Sequence, residues 1–184
     1  TRPYMRGLRN LTLTLNGAAR FNEALELCDR LETECGDDFS AGHYRAAIYL
    51  NTGMWAQAAE SSKLSGGDLD PSSGFVEAFA LFELGRLEEV LPAFLHAALN
   101  FPRAARALCG RRTAAAKSND EAEDHNTALT LQWNLHTYLK NQPRAAKTFF
   151  QGLVLDPRVA ELLDESIAVV RRRQDEHRTG VRSA

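Results

Sequence analysis

Five histidines, His43, His96, His125, His136 and His177, are the side chains best suited to moving protons or holding a metal near neutral pH. None stands in an HExxH arrangement or another zinc-ligand spacing. Glu121, Asp124 and His125 alone share a helical face at i, i+3 and i+4, a set able to recruit a metal ion. An acid-rich helix start accounts for the same three residues, and that is the expectation adopted. There is no glycine-rich phosphate loop, no GxSxG and no Cys–His pair with supporting spacing. The cysteines, Cys28, Cys35 and Cys109, are odd in number and form no CxxC pair, which fits neither a disulfide framework nor a zinc site. Cys28 and Cys35 lie two helical turns apart on one face and are expected as small buried hydrophobes in a reducing cytoplasm. The expectation is therefore a protein without catalytic residues, cofactor or metal.

Anion binding has one candidate. Arg103, Arg106, Arg111, Arg112 and Lys117 fall within residues 103–117, which contain no acid. Such a stretch could grip the phosphates of nucleic acid, an anionic surface or a phosphorylated partner. It lacks aromatics for stacking on bases, and Asp120, Glu121, Glu123 and Asp124 follow directly and could fold back on it. The whole chain carries 22 Lys+Arg against 24 Asp+Glu, a net charge of −2 that excludes a general nucleic-acid coat. That balance hides a division, since residues 1–99 carry 8 basic and 14 acidic side chains and residues 100–184 carry 14 and 10. A local anion site therefore stays open as the alternative reading.

The elements that would position these residues are helices. Apolar residues recur at helical spacing throughout, with no sustained alternation between hairpin turns. At 184 residues and 44% apolar, the chain can bury a substantial core. No run approaches a membrane span, and nothing at the start reads as a signal peptide. Leu8, Leu11 and Leu15 open one helix, and Phe21, Ala24, Leu25, Cys28 and Leu31 form a second before Gly36-Asp37-Asp38. The spacing predicts further helices over 39–52, 55–64, 74–84 and 87–100, divided at Gly53, at 66–73 and at Gly85.

The turns are evenly spaced. Phe21 to Trp55 and Ala24 to Ala58 are both 34 residues apart; Trp55 to Leu87 and Ala58 to Val90 are both 32. The shared core reads Ala19-Arg20-Phe21-Asn22-Glu23-Ala24, Gly53-Met54-Trp55-Ala56-Gln57-Ala58 and Gly85-Arg86-Leu87-Glu88-Glu89-Val90. Each has a small residue to reverse the chain, a bulky apolar residue to plug two helices, and a compact one to let them approach. This pattern resembles the tetratricopeptide repeat, a helix-turn-helix unit of about 34 residues. Phe94, Ala97 and Pro102 fall at the family's later aromatic, alanine and proline positions. The second unit departs from the pattern at Arg45, Ser62 and Ser65. The resemblance covers about residues 3–102.

The resemblance implies an all-α, right-handed superhelix whose first helices line a groove for peptides or partner helices. Its groove positions map onto Arg6, Arg9, Asn10, Leu13, Asn16 and Gly17, then Ser40, His43, Tyr44, Ala47, Leu50 and Asn51, then Ser72, Phe75, Val76, Phe79, Phe82 and Glu83. From these, Arg6, Arg9, Asn10, His43, Tyr44, Phe75, Phe79 and Phe82 are the expected partner-binding residues. Phe75, Phe79 and Phe82 form an aromatic stripe at i, i+4 and i+7 that either lines the groove or packs against the insertion or the long 120–140 helix. The carboxylate clamp of chaperone-binding relatives is not expected. Arg9 alone approximates one of its members, and Leu13 stands where asparagine is wanted.

Beyond Pro102 the rhythm breaks. The sequence predicts a short helix at 103–108, a loop, and one long helix over 120–140 whose stripe of Leu131, Leu135 and Tyr138 is widened by Leu129 and Trp133. A helix after Pro143 would complete a degenerate fourth hairpin, and one from Pro157 would cap the array with a wet face. The chain thus divides into three repeats over 1–102, a charged insertion over 103–119, a degenerate hairpin and capping helix over 120–178, and a frayed tail over 179–184. The opening at Thr1 without Met suggests a fragment or a trimmed chain, and the scaffolding part of a longer enzyme is one alternative left open. The expected function is a non-catalytic cytoplasmic scaffold for a protein or peptide. Nucleic acid is a weaker expectation, self-association is compatible, and no membrane partner is expected.

Overall fold

Three turns of one geometry organise the first hundred residues. Ala19, Gly53 and Gly85 all take left-handed backbone, with φ of 57°, 78° and 72°. In each, the next amide donates to a carbonyl five residues back: Arg20 to Leu15, Met54 to Tyr49 and Arg86 to Leu81, all at 2.9 Å. Glycine adopts this conformation freely, whereas Ala19 holds it against its Cβ. The turns join α1 (Arg2–Gly17) to α2 (Phe21–Cys35), α3 (Asp38–Asn51) to α4 (Trp55–Ser65), and α5 (Ser73–Glu83) to α6 (Leu87–Asn100). The computed structural model describes residues 2–65, 70, 72–111 and 119–180, with the side chains of 65, 120, 121, 170, 171 and 173–180 excepted. Arg112, Lys117 and the end of the tail at 181–184 lie outside the described residues.

Consecutive helices pack on one another from α1 through α6, and the described residues contain no strand. Between pairs the chain turns by other means. Gly36 closes α2 in left-handed backbone, and Asp37 caps α3, its carboxylate accepting from the Ser40 amide at 3.4 Å. Pro102 opens α7 (Pro102–Leu108), followed by α8 (Asn119–Asn134), α9 (His136–Asn141), α10 (Arg144–Leu155) and α11 (Pro157–Gly180).

The C-terminal helices cover one side of the paired array. α8 packs on α1, α9 on α3 and α10 on α5, so the first helix of each pair has a C-terminal neighbour. α10 and α11 also pack together, and α11 runs over α6 and α7. The main core lies under this cover. Phe75, Phe79, Phe94 and Phe150 are fully buried, with ring centroids 4.7 Å apart for Phe79–Phe150 and 5.5 Å for Phe94–Phe150. A second cluster of Leu8, Leu15, Leu27, Leu31 and Ile48 holds α1, α2 and α3 together. Each large side chain buried there stabilises the fold by about 1.5–3 kcal/mol before entropy is counted.

The helix expected over 120–140 is two helices. Leu135 leaves the helical path between α8 and α9, although the apolar stripe Leu131, Leu135 and Tyr138 runs straight through and is buried along its length. The cause is a side chain from α3.

Candidate functional site

Within an α-helix the Tyr138 amide would donate to the Asn134 carbonyl. Here the Asn51 carboxamide stands between them. Its Nδ2 donates to the Asn134 carbonyl at 2.6 Å, and its Oδ1 accepts from the Tyr138 amide at 3.0 Å. A side chain inserted into the ladder in this way breaks a helix. Asn16 completes the arrangement from α1. Its Nδ2 donates to the same Asn134 carbonyl at 2.9 Å, and its Oδ1 accepts from Asn51 Nδ2 at 2.9 Å. From α5, the Glu83 carboxylate accepts the Tyr138 hydroxyl at 2.9 Å. The Tyr138 ring lies 5.4 Å from Phe79 and 5.9 Å from Trp55, and its burial pushes the phenol well above its ordinary pKa. Asn16, Asn51 and Glu83 are three of the groove positions that the repeat resemblance implies. They hold the chain's own residues 134–138.

This arrangement corrects the aromatic stripe. Phe75 and Phe79 are 0% exposed, and Phe82 is half-buried against Phe149 and Phe150 at 4.9 and 5.6 Å. They pack against α6, α9 and α10, and Phe75 and Phe79 present no surface to a partner. Of the two expected covers, among the described residues only the 120–140 segment contributes a ring, through Tyr138; the larger part comes from Phe149 and Phe150 of α10, beyond it.

The expected residues of the first two pairs lie elsewhere. Arg6 and Asn10 are exposed on α1, and Arg9, His43 and Tyr44 are half-buried. Arg9 pairs with Asp37 at 2.7 Å. Burial would raise the Asp37 carboxyl, but hydrogen bonds from Arg9 and Ser40 outweigh it and hold that group below its usual value. His43 Nδ1 lies 2.8 Å from Asp70 Oδ2, while the Ser72 hydroxyl donates to Asp70 Oδ1 at 2.6 Å. Burial opposes ionisation of Asp70, and its bonds to His43 and Ser72 together lower its pKa. Ser, His and Asp meet here in the wrong order for nucleophilic catalysis. The serine hydroxyl is spent on the carboxylate, where catalysis would need it on the imidazole.

Two adjoining clefts follow α8. One, of about 540 Å³, lies between His43, Asp70 and Ser72 and the α8 residues Ala122, Glu123, Asn126, Thr127, Thr130 and Leu131, with Asn119 at its end. The other, of about 420 Å³, is lined by Asn10, Leu13 and Thr14 of α1 and by Leu129, Thr130, Trp133 and Asn134 of α8. Thr130 lines both. Leu129 and Trp133 are 52% and 58% exposed, and the indole lies against Gly17, where a Cβ would come within 2.6 Å of it.

No family model, curated protein or solved structure matches this chain.

The basic stretch does not assemble an anion site among its described residues. Arg103 is 4% exposed, and Arg106 is half-buried and paired with Asp164 of α11 at 2.8 Å, so of the described arginines in the stretch Arg111 alone is fully on the surface. Asp124 accounts for part of this. Its two carboxylate oxygens accept from the Arg103 and Ala104 amides at 2.8 and 2.9 Å, capping α7 from another helix. The same bonds occupy one member of the Glu121, Asp124 and His125 set, and the Glu121 side chain lies outside the described residues. No group of three or more His, Cys, Asp or Glu able to hold a metal occurs among the described residues. Cys28 and Cys109 are buried, which pushes each thiol up to about 12, and no cysteine is in a disulfide. No helix among the described residues is long and apolar enough to cross a membrane.

The residues that sequence reading passed over are Leu129, Trp133 and Asn134. Leu129 and Trp133 read as widening the buried stripe of the long helix. Both stand on the face of α8 opposite the buried Leu131 and are exposed.

Proposed function

We propose that this chain is a non-catalytic scaffold of the tetratricopeptide type, which holds a peptide or helix of another protein along the cleft between α1, α3 and α8. The observation that carries the reading is the exposed pair Leu129 and Trp133, set opposite Leu13 and Asn10 across a cleft that no described residue fills. Exposed large apolar groups in a concave, polar-rimmed site are what a protein partner buries. His43 lines the larger cleft from α3 and Asn10 the smaller from α1, and Arg6, Arg9 and Tyr44 on the same two helices are assigned to orient the bound chain. The third unit takes no part, because α9 and α10 already occupy the side where its aromatics lie. A cytoplasmic setting goes with the reading, since all three thiols are unpaired.

The test is selection of binders from a displayed random-peptide library against the whole chain. Selected peptides should lose at least about tenfold in affinity for Trp133→Ala and for Leu129→Ala, equivalent to about 1.4 kcal/mol. They should bind Leu87→Ala normally, a variant at an exposed leucine of α6 away from the cleft. Failure to enrich any binder, or binding indifferent to Trp133, would overturn the assignment.

A further inference from the structure

Asn134 ends α8 and is 1% exposed. Its backbone carbonyl is taken by Asn16 and Asn51, yet its side-chain Oδ1 and Nδ2 are both buried without a hydrogen-bond partner. Buried carboxamides are nearly always matched, so an orphan of this kind marks a place where another group belongs. It borders the smaller cleft, with Leu13, Leu129 and Trp133 beside it and Asn10, Thr14 and Thr130 on the rim.

The chemistry of the missing group follows from these surroundings. A carboxamide presents one acceptor and two donors in a plane. Its complement is a neutral group offering a donor and an acceptor together. No charged side chain is among the described residues that line the cleft, so none of them selects an ion. The apolar walls call for an aliphatic group next to the polar pair. One residue of an extended peptide has all of this, because its N–H and C=O point to the same side while its side chain stands away from them. A helix does not, because its own ladder occupies its main-chain groups.

We propose that the cleft between α1 and α8 is a subsite for an extended peptide. One residue pairs its main-chain N–H and C=O with the Asn134 carboxamide, and a flanking aliphatic side chain rests on Leu13, Leu129 and Trp133. The indole is more than half exposed, and it gives way outward as the peptide seats. This rests on the scaffold reading and deepens it, choosing an extended peptide over a helix.

The probe is the blocked tripeptide Ac-Thr-Leu-Thr-NHMe, titrated into the full chain while the Asn134 side-chain NH2 and Trp133 indole resonances are followed by NMR. Its partner probe is the depsipeptide in which an ester oxygen replaces the leucine N–H. The tripeptide should shift both resonances saturably, and the depsipeptide should bind at least about tenfold more weakly. Asn134→Ala, checked for unchanged helical circular dichroism, should lose the same factor. Equal binding of the two probes would show an apolar cleft that ignores main-chain amides and would overturn the proposal. So would the absence of a saturable shift at millimolar tripeptide, or a bound water on Asn134 that the tripeptide leaves in place. If the tripeptide fails while library-selected peptides still depend on Trp133, the scaffold reading stands and only the role of Asn134 falls.

Discussion

Replacing Asn51 by alanine removes one carboxamide and unmakes three hydrogen bonds, to the Asn134 carbonyl, the Asn16 Oδ1 and the Tyr138 amide. The Asn134 carbonyl keeps Asn16 as a donor, whereas the Tyr138 amide is left without its acceptor. A hydrogen bond contributes about 1 kcal/mol net, and a buried group left unmatched costs about 1–3 kcal/mol. The expected loss is therefore about 2–4 kcal/mol, roughly a hundredfold in the folding equilibrium at its midpoint. The chain could recover part of this by letting Tyr138 donate to Asn134 and straightening α8 into α9. The Tyr138 ring, held near Phe79 and Trp55 with its hydroxyl on Glu83, opposes that rotation. Urea unfolding followed by circular dichroism gives the stability change, and hydrogen exchange at the Tyr138 amide reports the bond itself. Asn51→Asp should cost more, since it sets a carboxylate oxygen against the Asn134 carbonyl. A loss under about 0.5 kcal/mol with unchanged protection at Tyr138 would refute the claim that Asn51 holds the break.

Other expectations follow from the same geometry. Phe79→Ala should destabilise the fold by roughly 3–5 kcal/mol, measured by denaturant unfolding, because its ring is fully buried among Tyr138 and Phe150. A groove residue would have left stability nearly unchanged. Gly17→Ala should push the Trp133 indole off α1, seen as a change in Trp133 emission in a Trp55→Phe background; an unchanged spectrum would mean that the ring does not rest there. Asp37 titrates below its ordinary pKa in the folded chain, so its contribution is complete above the unfolded value of about 3.9 and fades as pH falls through the lower, folded value. Asp37→Asn keeps a capping side chain but loses the ion pair with Arg9, and its stability should fall less steeply with acid over that window.

What could be read in the sequence was what neighbouring residues determine. The triplet Ala19, Gly53 and Gly85 stood out by spacing alone, and all three turned out left-handed because a tight reversal between helices needs that conformation. The periodicity of Phe75, Phe79 and Phe82 gave an apolar face without saying what covers it, since a groove and a core require the same side chains. The cover comes from Tyr138, Phe149 and Phe150, more than fifty residues onward. The break at Leu135 was illegible for a sharper reason. Leu131, Leu135 and Tyr138 keep helical period across it, and Asn51 imposes the break from a separation of 87 residues from Tyr138. Likewise, the acids at 120–124 stood out as possible partners of the basic stretch, whereas Asp164, which pairs with Arg106, lies 58 residues away and could not be read.

The covering of α1, α3 and α5 by α8, α9 and α10 also bears on how the chain is made. Synthesis runs from the N-terminus at about 5–20 residues per second, and domains begin to fold as they emerge. The first three helix pairs are complete long before Leu135, Tyr138 and Phe150 exist. For several seconds the nascent array carries Leu50 and Phe79 on an uncovered wall, with Asn16 and Asn51 still bonded to water. That interval is when the chain is most prone to aggregate or to take a foreign segment. It closes only when the last third of the molecule arrives.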